Sequence, residues 1–308
     1  MNSSTVLLTF TIYSSLGSFS LELAVCVLLL YVSGLCVNLL LVLVICADAR
    51  LHRPMYVLLV HLTLSGLLGS STVTLSLVRH LLSQAESSLS ACLSQVFFTN
   101  VYGSSMFCLL ALMAYDRYVS ICKPLLYHAI MRPGRLRLLL ALLYLLLSSS
   151  SAVQVYLTST LPLCQHSLDK LLCDSLAISK LSCQRNSLVG LYGLCCAACV
   201  IALPCLLVLL SYCHIFSVML KLSGESQRKA LQTCTPHLVV FINFSGAAFC
   251  GVTYNRLSAN IPKTVNILAC VSFFLVPPLF NPIIYGIKMK EIRLSIHRVM
   301  RRGILQHR

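Results

Sequence analysis

Seven apolar runs, each long enough to cross a bilayer, alternate with short connections that hold most of the charge. They fall at about residues 21–46, 54–82, 92–121, 136–161, 188–220, 228–253 and 265–287. A helix needs ~20 apolar residues to cross ~30 Å of hydrocarbon. Within lipid every backbone N–H and C=O must be paired inside the protein, which leaves helices or closed barrels. Runs of this length are far too long for barrel strands. The pattern predicts an all-α membrane protein, a seven-helix bundle over 21–287. A polar segment (1–20) precedes it and a basic segment (288–308) follows. Only 10% of the residues are charged, against about 25% in a soluble domain, so a two-domain soluble reading does not fit. Residues 1–20 lack a basic leader, so no cleaved signal peptide is expected.

The net charge of +15 invites a nucleic-acid reading, and its distribution argues against one. With seven spans and the N-terminus outside, six of the 23 Lys and Arg residues face outward: Arg79, Lys170, Lys180, Arg185, Arg256 and Lys263. The remaining 17 face inward. That asymmetry is the positive-inside rule for a plasma-membrane protein with an extracellular N-terminus and a cytoplasmic C-terminus. Residues 288–308 read as a short amphipathic helix, with Ile292, Ile296 and Val299 on one side and basic residues opposite, lying on anionic membrane lipid. Asn2-Ser3-Ser4 is a glycosylation acceptor on the expected outer side.

The polar residues inside the spans carry the rest. Asn38 must face other helices, since an amide in lipid is costly. Asp116-Arg117 closes the third span, where the two charges neutralise each other at the membrane edge. At 100° per residue, Thr99, Gly103, Met106, Leu110 and Met113 lie within about 40° of Arg117, so all face inward if Arg117 does. Near the outer end, Thr99 and Gly103 then leave room for a cavity. Ser148–Ser151 in span four can bond its own backbone or pack against a neighbour and is given no ligand role. Ser245, Phe249, Val252 and Arg256 form a stripe at helical spacing in span six. Arg256 stands at its outer mouth, suited to an anionic group. Asn281-Pro282 in span seven frees a carbonyl and is a natural site for a bend. Four cysteines fall on the outer side, Cys92, Cys164, Cys173 and Cys183. They allow three pairings, and spacing alone does not choose. The other thirteen read as free small hydrophobes. No spacing suggests a metal site, and no nucleophile–base motif suggests an enzyme.

Several strings resemble one family closely. Met113-Ala114-Tyr115-Asp116-Arg117-Tyr118-Val119-Ser120-Ile121-Cys122 is similar to the end of the third helix in olfactory receptors, a branch of the rhodopsin-like G-protein-coupled receptors. So are Pro54-Met55-Tyr56, Ser211-Tyr212-Cys213-His214-Ile215 and Lys229-Ala230-Leu231-Gln232-Thr233-Cys234 with His237-Leu238. The string Pro277-Pro278-Leu279-Phe280-Asn281-Pro282-Ile283-Ile284-Tyr285-Gly286 is closest to the family's fish-like branch, associated with water-soluble odorants. Three positions depart from the pattern. Val37 stands where the family usually has Gly just before Asn38. Gly66 stands where the family usually has an acid tied to a sodium-and-water cluster, so no sodium site is expected. Ser245 stands where many relatives have Tyr.

The resemblance implies a receptor that binds a small odorant from outside and activates a stimulatory, olfactory-type heterotrimeric G protein inside, raising cyclic AMP. It implies the pairings Cys92–Cys173 and Cys164–Cys183. It implies a pocket of Thr99, Asn100, Gly103, Ser104, Val200, Ala248, Phe249, Val252, Arg256 and Phe274. It places the coupling switch at Asp116, Arg117, Tyr118, Tyr212, Asn281, Pro282 and Tyr285. It implies no cofactor. Two rivals are a non-olfactory chemosensory receptor and a transporter or channel. The latter is expected to show paired repeats and charges along a path, whereas the charges here sit at span ends.

Overall fold

The computed structural model describes residues 6–14, 17, 19–83, 85–183, 187–257 and 263–306, leaving out the side chains at 187, 252–257, 263, 264 and 300–306. The chain opens with β1 (Leu7–Phe10) and a helical turn α1 (Thr11–Ser14), then α2 (Phe19–Ala47) and α3 (Pro54–Leu82). A short β2 (Glu86–Ser88) leads into α4 (Leu89–Cys122), followed by α5 (Tyr127–Ile130) and α6 (Pro133–Ser159). The long connection holds β3 (Ser167–Leu168) and α7 (Ser175–Lys180). Then come α8 (Ser187–Ala197), α9 (Leu203–Met219), α10 (Gly224–Leu257), α11 (Lys263–Phe274), α12 (Val276–Lys288) and α13 (Lys290–Gln306).

Among the described residues six helical stretches are long and apolar enough to span a bilayer, α8 and α9 forming one of them, and the bent pair α11–α12 makes the seventh. The protein is a seven-helix membrane bundle. Local chemistry sets the starts. Pro54 and Pro133 stand in the first turn of α3 and α6, where the missing N–H costs nothing. Ser88 caps α4 by accepting from the Ala91 N–H at 3.2 Å.

Prolines shape the inside of the bundle. A proline has no N–H, so the carbonyl four residues earlier is left unpaired. Before Pro204, residues Ala198–Ala202 widen into a π-turn between α8 and α9, which takes up the lost bond. In span seven the break falls at Leu275, with α11 and α12 inclined by 43°. The bend expected at Asn281-Pro282 is therefore displaced, because Pro277 and Pro278 come first and both withhold donors. Side chains repair two of the freed carbonyls. Asn38 Nδ2 donates to Pro278 O at 2.6 Å, the carbonyl that Pro282 cannot reach, and Tyr102 does the same for Phe273.

Helix α4 runs through the middle and touches α3, α6, α9 and α10. Its close approach to α3 depends on Gly69, where a Cβ would stand 2.4 Å from the Tyr102 ring. At Gly66 a Cβ would stand 3.3 Å from the Pro278 ring, so the residue that replaces the family's acid lets α12 come close to α3. One core of buried residues, including Leu59, Met106, Leu110, Phe244 and Tyr285, fills the middle and the Arg117 end. A second, including Leu8, Phe10, Leu77, Cys92 and Leu168, fills the opposite end.

That opposite end carries a small sheet in the order β2-β1-β3. Strand β1 pairs antiparallel with β2 and parallel with β3. Leu8 and Phe10 point into the second core while Leu7 is exposed, the period-two alternation of a strand with one wet face. Two disulfides, Cys92–Cys173 and Cys164–Cys183, tie the long connection to α4 and to itself.

Candidate functional site

A cavity of about 500 Å³ opens between the helices at the disulfide end. Its α4 wall is Thr99, Asn100, Gly103, Ser104 and Phe107, one face at helical spacing. Helix α6 contributes Ser150, Ser151 and Gln154. Gly193, Cys196 and Val200 come from α8 and the π-turn, and Ala248 from α10. Asn266, Cys270, Phe273 and Phe274 come from α11. An aromatic block floors it. Phe107 and Phe244 lie 4.9 Å apart, Phe244 and Phe273 stack at 5.2 Å, and Tyr102 meets Phe273 edge-on at 5.6 Å. Aromatic pairs at these separations are favourable beyond their burial.

The roof is the connection from Lys170 to Leu176. Besides the Cys92–Cys173 disulfide, hydrogen bonds hold it and the residue before it. The Cys173 N–H donates to Gln95 Oε1 at 2.9 Å, the Tyr13 hydroxyl to Leu171 O at 2.6 Å, and the Thr11 hydroxyl to Asp169 Oδ1 at 3.1 Å. The segment before the first span thus braces the roof. Asp174 caps α7, accepting from the Ala177 N–H at 2.7 Å. Burial pushes its carboxyl above the usual range, against the pull of that bond and of Lys170. Burial likewise lowers the Lys170 ammonium, which Asp174 partly offsets. The two charges stand in the roof, while the side walls present neutral polar groups. Apolar walls with a few placed polar groups suit a small organic ligand.

At the far end of α4, Arg117 donates from Nε to Asp116 Oδ2 at 3.1 Å, and the Tyr127 hydroxyl donates to Asp116 Oδ1 at 2.8 Å. Asp116 is fully buried and the Arg117 side chain 12% exposed. Ten residues of helix, about 15 Å, separate Phe107 from Arg117. Nearby, Tyr212 and His237 Nδ1 are 2.6 Å apart, and His237 Nε2 donates to Leu110 O at 2.9 Å. A carbonyl only accepts, so this bond fixes the proton on Nε2 and leaves Nδ1 to accept from the phenol. The pair joins α9, α10 and α4.

Residues 26–302 match the family model for olfactory receptors. The chain belongs to the olfactory receptor family. Olfactory receptor 1G1 of Gorilla gorilla gorilla is 34% identical over 284 residues, covering 89% of this chain and 88% of that protein. Olfactory receptor 2F1 of Homo sapiens is 35% identical over 275 residues, covering 88% and 86%. Olfactory receptor 8A1 of Mus musculus is 34% identical over 278 residues, covering 89% of each. These likenesses carry the family and do not sort the receptor into its fish-like branch. It is a multi-pass G-protein-coupled receptor of the membrane and not an enzyme.

Of the receptor's expected pocket residues, Thr99, Asn100, Gly103, Ser104, Val200, Ala248 and Phe274 line the cavity. Phe249 does not. It is 72% exposed, because α10 buries the face of His237, Phe244 and Ala248, one residue round from the stripe through Ser245. Val252 and Arg256 lie on α10 with side chains outside the described residues, and Asn2 lies outside them altogether. Ser150 and Ser151, given no ligand role from the sequence, also line the cavity. Sequence reasoning missed Gln154, Phe107 and Asn266. Phe107 is one turn beyond Gly103, so extending the α4 phase finds it.

At the other end, Tyr118 lies 5.8 Å from the His214 ring. Asn281 is buried beside Pro282 in α12, and its Oδ1 has no partner among the described residues. The Tyr285 hydroxyl is likewise buried and unpaired there. Tyr212 and Tyr285 both lie within electrostatic reach of Arg117.

Proposed function

We propose that this olfactory receptor takes a small odorant from the extracellular side into the cavity and activates a stimulatory, olfactory-type heterotrimeric G protein on the cytoplasmic side, raising cyclic AMP. One observation carries the reading. A closed-roofed cavity and a neutralised Asp116–Arg117 pair occupy opposite ends of the same helix. Ligand and G protein then act on one two-state bundle. Each must bind the active arrangement better than the resting one, and each thereby strengthens the other. Asp116 holds Arg117 at rest. On activation Arg117 turns toward the opened inner end, where Tyr212 and Tyr285 supply polar partners. Asn281 and Pro282 lie where α12 shifts.

The charge asymmetry of the sequence supports an extracellular N-terminus with Asn2 glycosylated. The paired cysteines at the cavity end agree with an oxidising compartment. Water-soluble and anionic odorants are the ligand classes that the fish-like likeness and Arg256 favour. For the anionic class, Arg256→Ala removes responses to carboxylates and spares neutral agonists.

The test is cyclic AMP in cells expressing the receptor with an olfactory stimulatory G protein, against soluble acids, amines, amino acids and volatile neutrals, with surface density scored alongside. A ligand-dependent rise that Arg117→Ala abolishes supports the proposal. Ion or solute flux instead of cyclic AMP overturns it in favour of a transporter or channel.

A further inference from the structure

We infer that Gln154 is the polar anchor of the cavity and that the ligand class it selects is small molecules bearing a hydroxyl on an apolar body. The inference rests on the cavity being the ligand site, as proposed above.

Gln154 lines the cavity from α6, is only 6% exposed, and its Oε1 has no hydrogen-bond partner among the described residues. Leaving a buried amide oxygen unpaired costs more than an ordinary hydrogen bond contributes, and the great majority of buried side-chain polar atoms have a partner. The partner here must come from what enters the cavity. Four hydroxyls on the wall are already engaged, Ser150 with the Tyr192 hydroxyl at 3.2 Å and three with the backbone. Thr99 donates to Gln95 O at 2.8 Å, Ser104 to Asn100 O at 2.7 Å and Ser151 to Phe97 O at 3.0 Å.

Gly193 faces the carboxamide from α8. A Cβ there would stand 3.6 Å from both Nε2 and Oε1 of Gln154, so the missing side chain leaves the carboxamide room to turn its buried Oε1 toward an entering hydroxyl. The amide offers one acceptor and one donor group side by side. A hydroxyl matches both, since it donates one hydrogen bond and accepts others. A ketone, aldehyde or ether only accepts and leaves the amide oxygen unpaired. A site built to bond a hydroxyl rejects the analogue without one, because its own polar group is then stranded. The aromatic floor, with Phe107 and Phe273, accepts the apolar remainder.

The experiment uses the full receptor in cells with the cyclic AMP readout, normalised to surface density. The probes are matched sets: cyclohexanol, cyclohexanone and methoxycyclohexane; benzyl alcohol, benzaldehyde and benzyl methyl ether; octanol, octanal and methyl octyl ether. The variants are Gln154→Met, which keeps length and drops the amide, and Gly193→Ala, which covers the amide at ordinary contact distance and leaves Gln154 intact. In the unaltered receptor the alcohol of a responding set is more potent than its partners by about tenfold or more. Each variant weakens the alcohol more than its partners, which lose at most the bond from Nε2, so that the set levels. Equal potency within the sets, or an alcohol preference that survives both variants, overturns the role of Gln154 and leaves the receptor reading standing. Silence to every probe at normal surface density, in unaltered receptor and variants alike, overturns the hydroxyl assignment. If the wider panel is silent too, the receptor reading falls with it.

Discussion

The Tyr102 phenol donates to the carbonyl of Phe273 at 2.8 Å, and Pro277 is the reason that carbonyl is free. A helix bonds the N–H of residue 277 to the carbonyl of 273, and proline has no N–H to give. The phenol closes the gap and ties α4 to the bend between α11 and α12, directly under the cavity. Tyr102→Phe keeps the ring and strands the carbonyl, at a cost of about 1–3 kcal/mol. The melting temperature of purified receptor therefore falls. In a Pro277→Ala background, where a backbone donor returns, the same substitution costs less. An equal loss in both backgrounds shows that the phenol does not serve this carbonyl.

The same ring sets the distance between α3 and α4. The Cβ of an alanine at 69 would stand 2.4 to 2.7 Å from three Tyr102 ring carbons, closer than any van der Waals contact. The ring is fully buried and cannot swing aside. Gly69→Ala is expected to destabilise by about 1–3 kcal/mol or more through overpacking and to lower surface expression. Gly246→Ala, with nothing within 4 Å of the added carbon, is the control and is expected to express normally.

The bundle was legible because its determinants are local. Seven apolar runs fix seven spans, and the phase of α4 follows from Arg117 by counting 100° steps, which puts Thr99 and Gly103 on the face that lines the cavity. What was not legible depends on distant partners. Strand β1 forms because β2 and β3 await it, and its contact with His166 joins residues 157 apart in sequence. The serines of α6 show the same limit. Ser149 bonds its own helix at Leu146 O, while Ser151 reaches Phe97 O on α4. The roll of α6 decides which is which, and packing against α4 and α8 sets that roll. On α10 the phase was borrowed from Ser245 and its family counterpart. The helix buries Phe244 and Ala248 instead, which turned Phe249 outward.

Asp48 anchors the C-terminal helix. It accepts from the Ser295 hydroxyl at 2.7 Å and pairs with Arg298 at 2.8 Å. The Ser295 bond chiefly, with the Arg50 N–H and Arg298 charge, holds its carboxyl below the usual carboxylate range. The sign follows from linkage. A carboxylate with a lowered folded value contributes its full share above the ordinary carboxylate range and loses it as pH falls through the lowered value. Asp48→Asn is therefore expected to speed amide hydrogen exchange in α13 at neutral pH. The difference from the unaltered receptor begins to shrink as pH falls below about 4 and is gone below the lowered value, where both side chains are neutral. A difference independent of pH excludes the charge as the cause.

Tyr127 adds to the restraint on the proposed switch. Its hydroxyl bonds Asp116 Oδ1 at 2.8 Å while Arg117 holds Oδ2, and burial, with the Asp116 charge beside it, raises the phenol's pKa, so it stays a donor at any working pH. Tyr127→Phe removes one of the bonds that fix Asp116 and thereby loosens its hold on Arg117. A hydrogen bond to a charged group contributes about 1.5–3 kcal/mol. If the active arrangement does not keep this bond, its loss disfavours only the resting one. Ligand-independent cyclic AMP is then expected to rise by roughly tenfold, up to the ceiling set by agonist. Arg117→Ala in the same background returns it to the level of untransfected cells. Unchanged basal signalling at equal surface density shows that Tyr127 bonds Asp116 in both arrangements or does not restrain the switch.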